Sequence, residues 1–383
     1  MKFFHLSDLH IGLKLINRDF SEDQAYILDQ IIQLAGREKP DAVVIAGDLY
    51  DRAVPSAEAV ELFDHFVSGL TEAVPYAEIM MISGNHDSAP RIDVFRRVLQ
   101  HQHVHMIGIP PQKPGEKIEQ VTMYDDYGPV HFYLLPYVRP SMIRQITGTK
   151  EDGTSLSYDE ALHRLIDREG INQEERNVLV SHQFYLPARK DAEQVERMDS
   201  EIRTVGNIDA VQADVLAPYD YAALGHIHKP MKVGSDVYRY CGTPLACSMS
   251  EAGQEKGIIE VTMEEKGTVH TRVLPLSPLR QVRILKGSLA EILEEACTDY
   301  VTVILTDPLE AGTMDTMDRL RFAFPNLLDV RRQAPDTDKT PERIRAERAM
   351  DPYELCLAFL GEVDEAQKEL LQDVINQVSE VQS

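Results

Sequence analysis

Five short clusters of aspartate, asparagine and histidine occur within the first 230 residues of the chain. They are Asp8-Leu9-His10, Gly47-Asp48-Leu49-Tyr50-Asp51, Gly84-Asn85-His86-Asp87, Ser181-His182 and Gly225-His226-Ile227-His228. Carboxylate, amide and imidazole ligands without cysteine suit Mn²⁺, Fe or Zn²⁺ better than an all-oxygen Ca²⁺ site. Seven such ligands are too many for one ion with open positions, but they suit two ions bridged by one carboxylate. The clusters therefore predict a two-metal site for phosphoryl transfer, where the ions stabilise both the attacking and the leaving oxygen.

Each cluster follows an apolar run that predicts a β-strand. The runs are Lys2–Leu6, Ala42–Ala46, Glu78–Ile82, 177–181 and 221–224, with helices predicted at 20–39 and 57–70. This alternation is typical of an α/β fold, in which ligands bind beyond the carboxyl ends of the strands. Side chains at alternate positions of an extended segment share a face, so Asp8 and His10 aim at one place. Glycines directly before Asp48, Asn85 and His226 allow the backbone to turn sharply and approach the site closely.

The rest of the chain divides into three predicted regions. Further strands at 130–135, 237–240, 257–263 and 268–274 complete a first domain, residues 1–275. A hinge at 276–278 leads into a small α/β domain, residues 276–335, with helices at 289–296 and 314–323 around a strand at 301–305. Residues 336–383 are predicted to form a polar linker and a helical tail.

Composition predicts a cytoplasmic protein without a membrane span. The chain has 383 residues, enough for more than one domain. Its four cysteines form no CxxC pair, which argues against a structural zinc site. No apolar run approaches the roughly 20 residues of a membrane span, and the N-terminus becomes polar too early for a signal peptide.

The formal net charge of −24 argues against a nucleic-acid partner, because such partners usually need a basic face. Net charge, however, ignores the distribution of charges and any bound metal ions. One stretch is basic, and it contains Arg331, Arg332, Arg343, Arg345 and Arg348. These arginines are either a nucleic-acid contact or a solvated helix face, and composition leaves both open.

The ordered set D-x-H, G-D-x-x-D, G-N-H-D, H and G-H-x-H resembles the calcineurin-like metallophosphoesterases. Within that superfamily the sequence is most similar to the SbcD family of bacterial nuclease subunits. The shared segments are HLSDLHIG (5–12), GDLYDRAVPS (47–56), ISGNHDS (82–88) and GHIHKP (225–230). The resemblance implies an α/β fold built as a four-layer β-sandwich flanked by helices, followed by a small α/β capping domain and a helical C-terminal tail.

The resemblance also implies a role for each matching residue. The implied metal ligands are Asp8, His10 and His228 for one ion, Asn85, His182 and His226 for the other, and Asp48 as the bridge. The two divalent ions are expected to be Mn²⁺. His86 would lie beside the scissile phosphate, stabilising charge or protonating the leaving alkoxide. Asp51 stands where archaeal and eukaryotic relatives carry histidine, and we expect it to orient His86 or a ligand histidine.

Relatives of this kind imply DNA as the substrate and a coiled-coil ATPase of the SbcC type as the partner. We expect a double-strand exonuclease with single-strand endonuclease activity, working in DNA repair, recombination and replication. The sequence has no GxxxxGK[ST] motif, so any ATP use would come from that partner. A homodimer within a heterotetramer is expected.

Two apolar patterns are candidates for these contacts. The predicted helices 57–70 and 90–99 carry Val60, Phe63, Phe66, Val67, Phe95 and Val98, which serve either pairing with a second copy or core packing. The tail carries one stripe of Cys356, Phe359, Leu360 and Val363 and another of Leu371, Val374, Ile375 and Val378. Helix starts are predicted at Asp351 and at Asp364 with Gln367. The tail helices are expected to dock on the ATPase, the alternative being that they fold back on the nuclease domain.

Two other functions fit parts of the sequence. GDLYDR (47–52) resembles the phosphatase pattern GDxxDR, so a protein phosphatase, nucleotidase or cyclic nucleotide phosphodiesterase is the alternative. The small domain and the amphipathic tail have no evident purpose in such an enzyme. A non-catalytic adaptor is the second alternative, and the presence of every expected ligand argues against it.

Overall fold

The computed structural model describes residues 1–187, 201, 209–307, 313–333, 352–361, 364, 367, 368, 370, 371 and 374. Residues 1–201 and 210–332 form one compact unit, and residues 202–209 with 333–383 form a second. Within the described ranges, no helix is both long and apolar enough to cross a membrane. The domain boundaries at 275/276 and 335/336 stay predictions.

The elements of the described chain are as follows. The strands are β1 (Lys2–Leu6), β2 (Lys14–Leu15), β3 (Arg18–Asp19), β4 (Ala42–Ala46), β5 (Glu78–Ile82), β6 (Val104–Ile107), β7 (Glu119–Asp125), β8 (Gly128–Leu135), β9 (Arg176–His182), β10 (Phe184–Leu186), β11 (Ala210–Gln212), β12 (Tyr221–Gly225), β13 (Met231–Val233), β14 (Ser235–Tyr240), β15 (Lys256–Met263), β16 (Val269–Leu276), β17 (Val282–Gly287), β18 (Tyr300–Leu305) and β19 (Leu327–Arg332). The helices are α1 (Ser21–Glu38), α2 (Ala57–Ala73), α3 (Ala89–Ile92), α4 (Arg96–Leu99), α5 (Pro140–Thr147), α6 (Tyr158–Asp167), α7 (Leu289–Glu294), α8 (Thr313–Ala323) and α9 (Pro352–Leu360). Short 3₁₀ turns cover Gln100–Gln102, Ala213–Leu216 and Met249–Glu251.

The first large sheet has the strand order β16-β15-β1-β4-β5-β6. Strands β1, β4, β5 and β6 are parallel, and β15 and β16 add an antiparallel edge. Every residue of β4, an Ala-Val-Val-Ile-Ala run, is buried, as expected for a parallel strand covered on both faces. Helices α1 and α2 cover the outer face, in a core that includes Ile27, Phe66 and Leu70.

The second large sheet has the strand order β13-β14-β12-β9-β8-β7. Its outer face packs on α5 and α6 through residues such as Ile143 and Leu162. Its inner face packs directly on the first sheet, where the rings of Phe3 and Phe132 meet edge to face at 5.2 Å. The layers therefore run helix, sheet, sheet, helix, which confirms the predicted four-layer α/β sandwich.

A third, smaller sheet follows the sandwich in the chain. Strands β17, β18 and β19 are parallel, with β18 in the centre. Helices α7 and α8 pack on this sheet around Ile292, Val303, Leu320 and Phe324, which form a separate hydrophobic core. The predicted small α/β element is therefore present.

The predicted helix 90–99 is interrupted. It forms two single turns, α3 and α4, separated at Phe95, which has a left-handed φ of 59°. The loop here packs against Gly108, whose N–H donates to Asp93 Oδ1 at 3.3 Å. A Cβ on Gly108 would lie 1.9 Å from the carbonyl oxygen of Ala89. This close packing interrupts the helix that the sequence predicts over 90–99.

The second compact unit contains α9 in the predicted helical tail. Asp364 and Gln367 cap each other, because the Asp364 N–H donates to Gln367 Oε1 (3.0 Å) and the Gln367 N–H donates to Asp364 Oδ1 (2.8 Å). The predicted tail and basic residues Asp351, Val363, Ile375, Val378, Arg343, Arg345 and Arg348 lie outside the described residues.

Candidate metal centre

Strands from both large sheets present their carboxyl ends at the same place. The loops after β1 and β4 run side by side, since the Asp8 N–H donates to Gly47 O and the His10 N–H donates to Asp48 O, both at 3.0 Å. Nδ1 of His182, the last residue of β9, donates to the carbonyl oxygen of Ala46 at 2.7 Å. The structure brings all nine predicted site residues together at this edge, namely Asp8, His10, Asp48, Asp51, Asn85, His86, His182, His226 and His228.

The backbone that carries these residues is strained. Asp8, His10, Asp48 and His226 have φ values of 54°, 43°, 50° and 100°, in a region that residues other than glycine rarely adopt. Such conformations cost on the order of 1–3 kcal/mol each and persist where the surroundings enforce them, as they do at functional sites. The packing is equally tight, because a Cβ on Gly84 would lie 2.1 Å from Asp48 Oδ1.

The first ligand group consists of Asp8, His10 and His228, all buried. One ligand atom from each residue lies within 4.8 Å of the others. The Nε2 atoms of His10 and His228 face each other at 3.1 Å. The Asp8 carboxylate accepts the N–H of His226 (3.0 Å to Oδ1), which ties the loop after β12 to the loop after β1. This group consists of the three residues that the family resemblance implies as ligands of one ion.

The second ligand group is centred on Asn85. Its Oδ1 lies 2.9 Å from Nε2 of His182 and 3.0 Å from Nδ1 of His226. The two histidine rings meet edge to face with centroids 5.3 Å apart. The loops after β5 and β12 and the end of β9 therefore bring together the three side chains that the family resemblance implies for the other ion.

Asp48 lies between the two groups. Its Oδ2 is 3.7 Å from His10 Nε2 in the first group and 3.3 Å from His182 Nε2 in the second. Its Oδ1 accepts the backbone N–H of His86 at 2.9 Å. This is the position that a bridging carboxylate requires.

His86 faces this centre from its more open side. Its Nδ1 lies 3.0 Å from the backbone carbonyl of Asp51, and its Nε2 lies 4.0 Å from Asp48 Oδ2. The His86 side chain is 17% exposed, whereas the His10 side chain is 2% exposed. The carboxylate of Asp51 lies 3.9 Å from His10 Nδ1 and 3.5 Å from Arg52 Nε. Asp51 thus contacts His86 through its main chain and approaches a ligand histidine through its side chain.

A family model of the calcineurin-like phosphoesterases matches residues 1–230 of this chain. The chain belongs to the calcineurin-like phosphoesterase family. The matched segment contains all five clusters and the strands that carry them. A second family model, SbcD_C (type 5 capsule protein repressor C-terminal domain), matches residues 278–363, which include the third sheet and α9.

Three of the solved structures that are similar to this chain have low sequence identity to it. TT1561 of Thermus thermophilus is 13% identical over 71% of this chain and 98% of its own, with a TM-score of 0.39. A dimetal phosphatase from Danio rerio is 14% identical over 74% of this chain and 99% of its own, with a TM-score of 0.43. GAP50, the anchor in the inner membrane complex of Plasmodium, is 11% identical over 89% of this chain and 99% of its own, with a TM-score of 0.38.

Calcineurin-like phosphoesterases use a dimetal centre, and the residues of this chain fit one. At most one of the two imidazole nitrogens that face each other at 3.1 Å carries a proton, and the two are close enough to bind one cation together. Buried carboxylates are costly unless they are paired or bind metal. Asp8 and Asp48 are both buried, and they lie beside imidazole nitrogens and the Asn85 amide oxygen, which are ligand atoms that suit a transition metal.

The pKa shifts of Asp48 and His182 also fit a cation-binding site. Burial opposes ionisation of Asp48, but the neighbouring His182 and His86 hold its pKa well below the usual value. Burial lowers the pKa of His182, but Asp48 outweighs this effect and raises that pKa to about 9. His182 therefore carries a proton where a metal ion would bind, and its Nδ1–H bond to Ala46 leaves Nε2 as the ligand atom.

Sequence reasoning gave no role to two carboxylates of the site, those of the partly buried Asp87 and the buried Glu251. Asp87 accepts the N–H groups of Leu49 (3.0 Å), Tyr50 (2.9 Å) and Gly84 (2.9 Å), so it joins the second and third clusters. Its place in the GNHD cluster was a signal that could have identified it. Glu251 Oε1 lies 3.5 Å from His228 Nδ1, and no pattern around it pointed to the site.

Proposed function

We propose that this metallophosphoesterase is a DNA nuclease that hydrolyses phosphodiester bonds by two-metal catalysis. It acts with a coiled-coil ATPase of the SbcC type in processing DNA ends for repair, recombination and replication. One observation carries the proposal: Asp48 lies between two ligand groups in a chain whose residues 278–363 match the SbcD_C model.

The ligand groups define what each residue does. Two bound divalent cations, which we expect to be Mn²⁺, supply stabilisation of the attacking and leaving oxygens of the phosphodiester. Asp8, His10 and His228 would hold one, and Asn85, His182 and His226 would hold the other. Asp48 would contribute to both, and the hydrogen bond that it accepts from the His86 N–H keeps its carboxylate in a fixed orientation.

His86 is the imidazole placed to act on the substrate. Its Nδ1–H donates to the carbonyl oxygen of Asp51, which leaves Nε2 directed at the centre. From this position a protonated Nε2 stabilises charge on the phosphoryl oxygens or donates its proton to the leaving alkoxide. Asp51 orients His86 through its backbone, so a different side chain at position 51 is compatible with activity.

The acidic chain is compatible with a DNA substrate at this site. A net charge of −24 disfavours contact with DNA over most of the surface. Bound metal ions are often the largest local charges in a site, and two divalent cations exceed the charge of Asp8 and Asp48. The site itself would therefore attract a phosphodiester, while contact beyond it requires the partner subunits.

We propose that the protein works as a homodimer within a heterotetramer that contains the ATPase. Phe63 and Phe66 of α2 are core residues, but Val60, Phe95 and Val98 are exposed, and Phe95 is 73% exposed. These exposed residues are the proposed contact with the second copy. On α9, Phe359 is 90% exposed, which supports docking of the tail on a partner helix.

Hydrolysis of three substrates distinguishes the proposed nuclease from a phosphatase. We expect Mn²⁺-dependent cleavage of linear duplex DNA, which Asp48→Ala abolishes, and little hydrolysis of p-nitrophenyl phosphate or a phosphoserine peptide. The Asp48→Ala control identifies any contaminating nuclease. Rapid hydrolysis of either phosphomonoester with no cleavage of DNA would show that the chain is a phosphatase instead.

A further inference from the structure

The loop that carries His10 is held from behind by Gln24 of α1. Gln24 Nε2 donates to the carbonyl oxygen of His10 at 2.7 Å, and Gln24 Oε1 accepts the N–H of Gly12 at 2.9 Å. The Gln24 side chain is buried. His10 needs this support, because its left-handed φ of 43° is unfavourable without surroundings that enforce it.

The preceding residue of α1 is tied to the third sheet. Asp23 is fully buried, and its Oδ2 accepts hydrogen bonds from Arg280 Nη1 and Tyr300 Oη, both at 2.7 Å. Arg280 precedes β17, and Tyr300 is the first residue of β18. Burial and the nearby Asp23 raise the pKa of Tyr300 to about 12, so its hydroxyl stays protonated and donates.

We propose that Asp23 and Gln24 couple the third sheet to the metal ligand His10. Gln24 is a positioning residue, and Asp23 with Arg280 and Tyr300 fixes the turn of α1 that carries it. Docking of the third sheet thereby sets the position of His10 and the affinity of the ion that it holds. This inference rests on the proposed two-metal function of the site.

Apolar packing alone would attach the third sheet to α1. The rings of Tyr300 and Phe20 already pack with centroids 4.7 Å apart, and Tyr300 belongs to the core beneath α1. A buried charged cluster adds a desolvation cost that an apolar contact avoids. The cluster contributes orientation, because its hydrogen bonds fix the rotation of α1 about its axis at Asp23, the residue next to Gln24.

The same helix offers a matched control. Gln30 Nε2 donates to the carbonyl oxygen of Ser277 at 2.7 Å, and the Ser277 N–H donates to Gln30 Oε1 at 3.0 Å. Gln30 therefore also holds a loop with both ends of its amide, but this loop leads to the third sheet and carries no ligand of the centre. A variant that loses these two hydrogen bonds tests whether weakening another attachment of α1 also affects metal binding.

The test measures Mn²⁺ binding to the full chain by titration and by the electron paramagnetic resonance signal of a coupled ion pair. In Gln24→Met, we expect affinity for one of the two ions to fall about 10- to 100-fold, as for other residues that orient metal ligands. Tyr300→Phe should weaken the same ion to a smaller degree. Gln30→Met should bind both ions with wild-type affinity.

Other outcomes overturn the inference. Wild-type affinity for both ions in Gln24→Met would show that Gln24 does not position His10. Unchanged metal affinity in Tyr300→Phe, with a lower melting temperature, would show that the cluster only stabilises the fold. If the wild-type chain binds two ions in this way but cuts no DNA, the proposed function fails while the coupling stands.

Discussion

Asp48 Oδ2 lies 3.3 Å from His182 Nε2, and both side chains are buried. Asp48 follows a strand of the first sheet, and His182 ends a strand of the second, so this contact joins the two sheets at the centre of the site. In the metal-free protein the pair is an ion pair, since the pKa of Asp48 is lowered and that of His182 is raised. His182 Nε2 would have to release this proton before it could bind a metal ion.

We predict that metal binding strengthens as the pH rises from 6.5 to about 9. The pKa of His182 is raised from 6.5 to about 9, so its ring must release a proton before Nε2 binds an ion. Apparent Mn²⁺ affinity should rise about tenfold per pH unit for each proton displaced. Calorimetry in buffers with different ionisation enthalpies measures that proton release. A flat affinity over this range would contradict the assignment of His182 as a ligand.

The stability of the metal-free protein should show the opposite trend. Because the folded-state pKa of His182 lies above its unfolded value, its stabilising contribution is complete below pH 6.5 and disappears as the pH rises through about 9. The melting temperature of chelator-treated protein should therefore fall over this window. Asp48→Asn removes the charge that raises this pKa and should flatten the trend.

We predict that His86→Gln retains both metal ions but loses most cleavage. A general acid contributes about 10²- to 10⁴-fold to the rate, whereas His86 holds neither ion in the proposed ligand set. Metal content and single-turnover cleavage of duplex DNA check this. His65→Gln is a matched control, because His65 is an exposed histidine that pairs with Asp29 at 2.8 Å, away from the centre. Loss of an ion from His86→Gln would make His86 a metal ligand.

The elements that position the site could be predicted because their sequence signals are local. Strands β1, β4 and β5 are continuous apolar runs that end at turn-forming polar residues, and the structure has them at the predicted bounds. The ligand clusters share one edge because parallel strands bring their carboxyl ends together. Chain order and residue type were therefore sufficient to place the clusters together, whereas the assignment of ligands to each ion came from the family resemblance.

Contacts between distant segments could not be predicted in this way. Glu251 reaches His228 from a short 3₁₀ turn that has no periodic pattern of its own. Gln24 faces the His10 loop on a helix whose apolar stripe predicts only which face is buried. The break at Phe95 depends on tertiary contact with Gly108, which local helix propensity does not contain.

We predict that Phe95→Asp prevents formation of the dimer. Phe95 is exposed and has a left-handed backbone conformation, so a charged side chain at this position is tolerated in the monomer. The same charge would be costly in an apolar dimer interface. Sedimentation velocity with and without DNA checks the oligomeric state. Tyr76→Asp is the control, because Tyr76 is an exposed aromatic residue outside α2 and α4. A wild-type chain that remains monomeric with partner and DNA would refute the dimer.

We predict that deletion of residues 342–383 abolishes binding to the ATPase partner but leaves metal-dependent cleavage intact. The metal ligands all precede residue 230, so metal-dependent cleavage of simple substrates should continue. Association with the ATPase and ATP-dependent processing of duplex ends should be lost. Phe359→Asp should weaken the same association, whereas Phe322→Asp, an equally exposed residue on α8, should not. Co-purification of the truncated chain with the ATPase at full stoichiometry would exclude the tail as the docking element.

The most direct test of the dimetal centre is the metal content of Asp48→Ala together with its cleavage of DNA. Asp48 Oδ2 is within 3.7 Å of a ligand from each group, so its loss should release at least one ion and leave the fold intact. We expect about two Mn²⁺ per wild-type chain, one or none in the variant, and no cleavage of duplex DNA by the variant. A folded Asp48→Ala protein with about two bound ions and a normal cleavage rate would contradict the account.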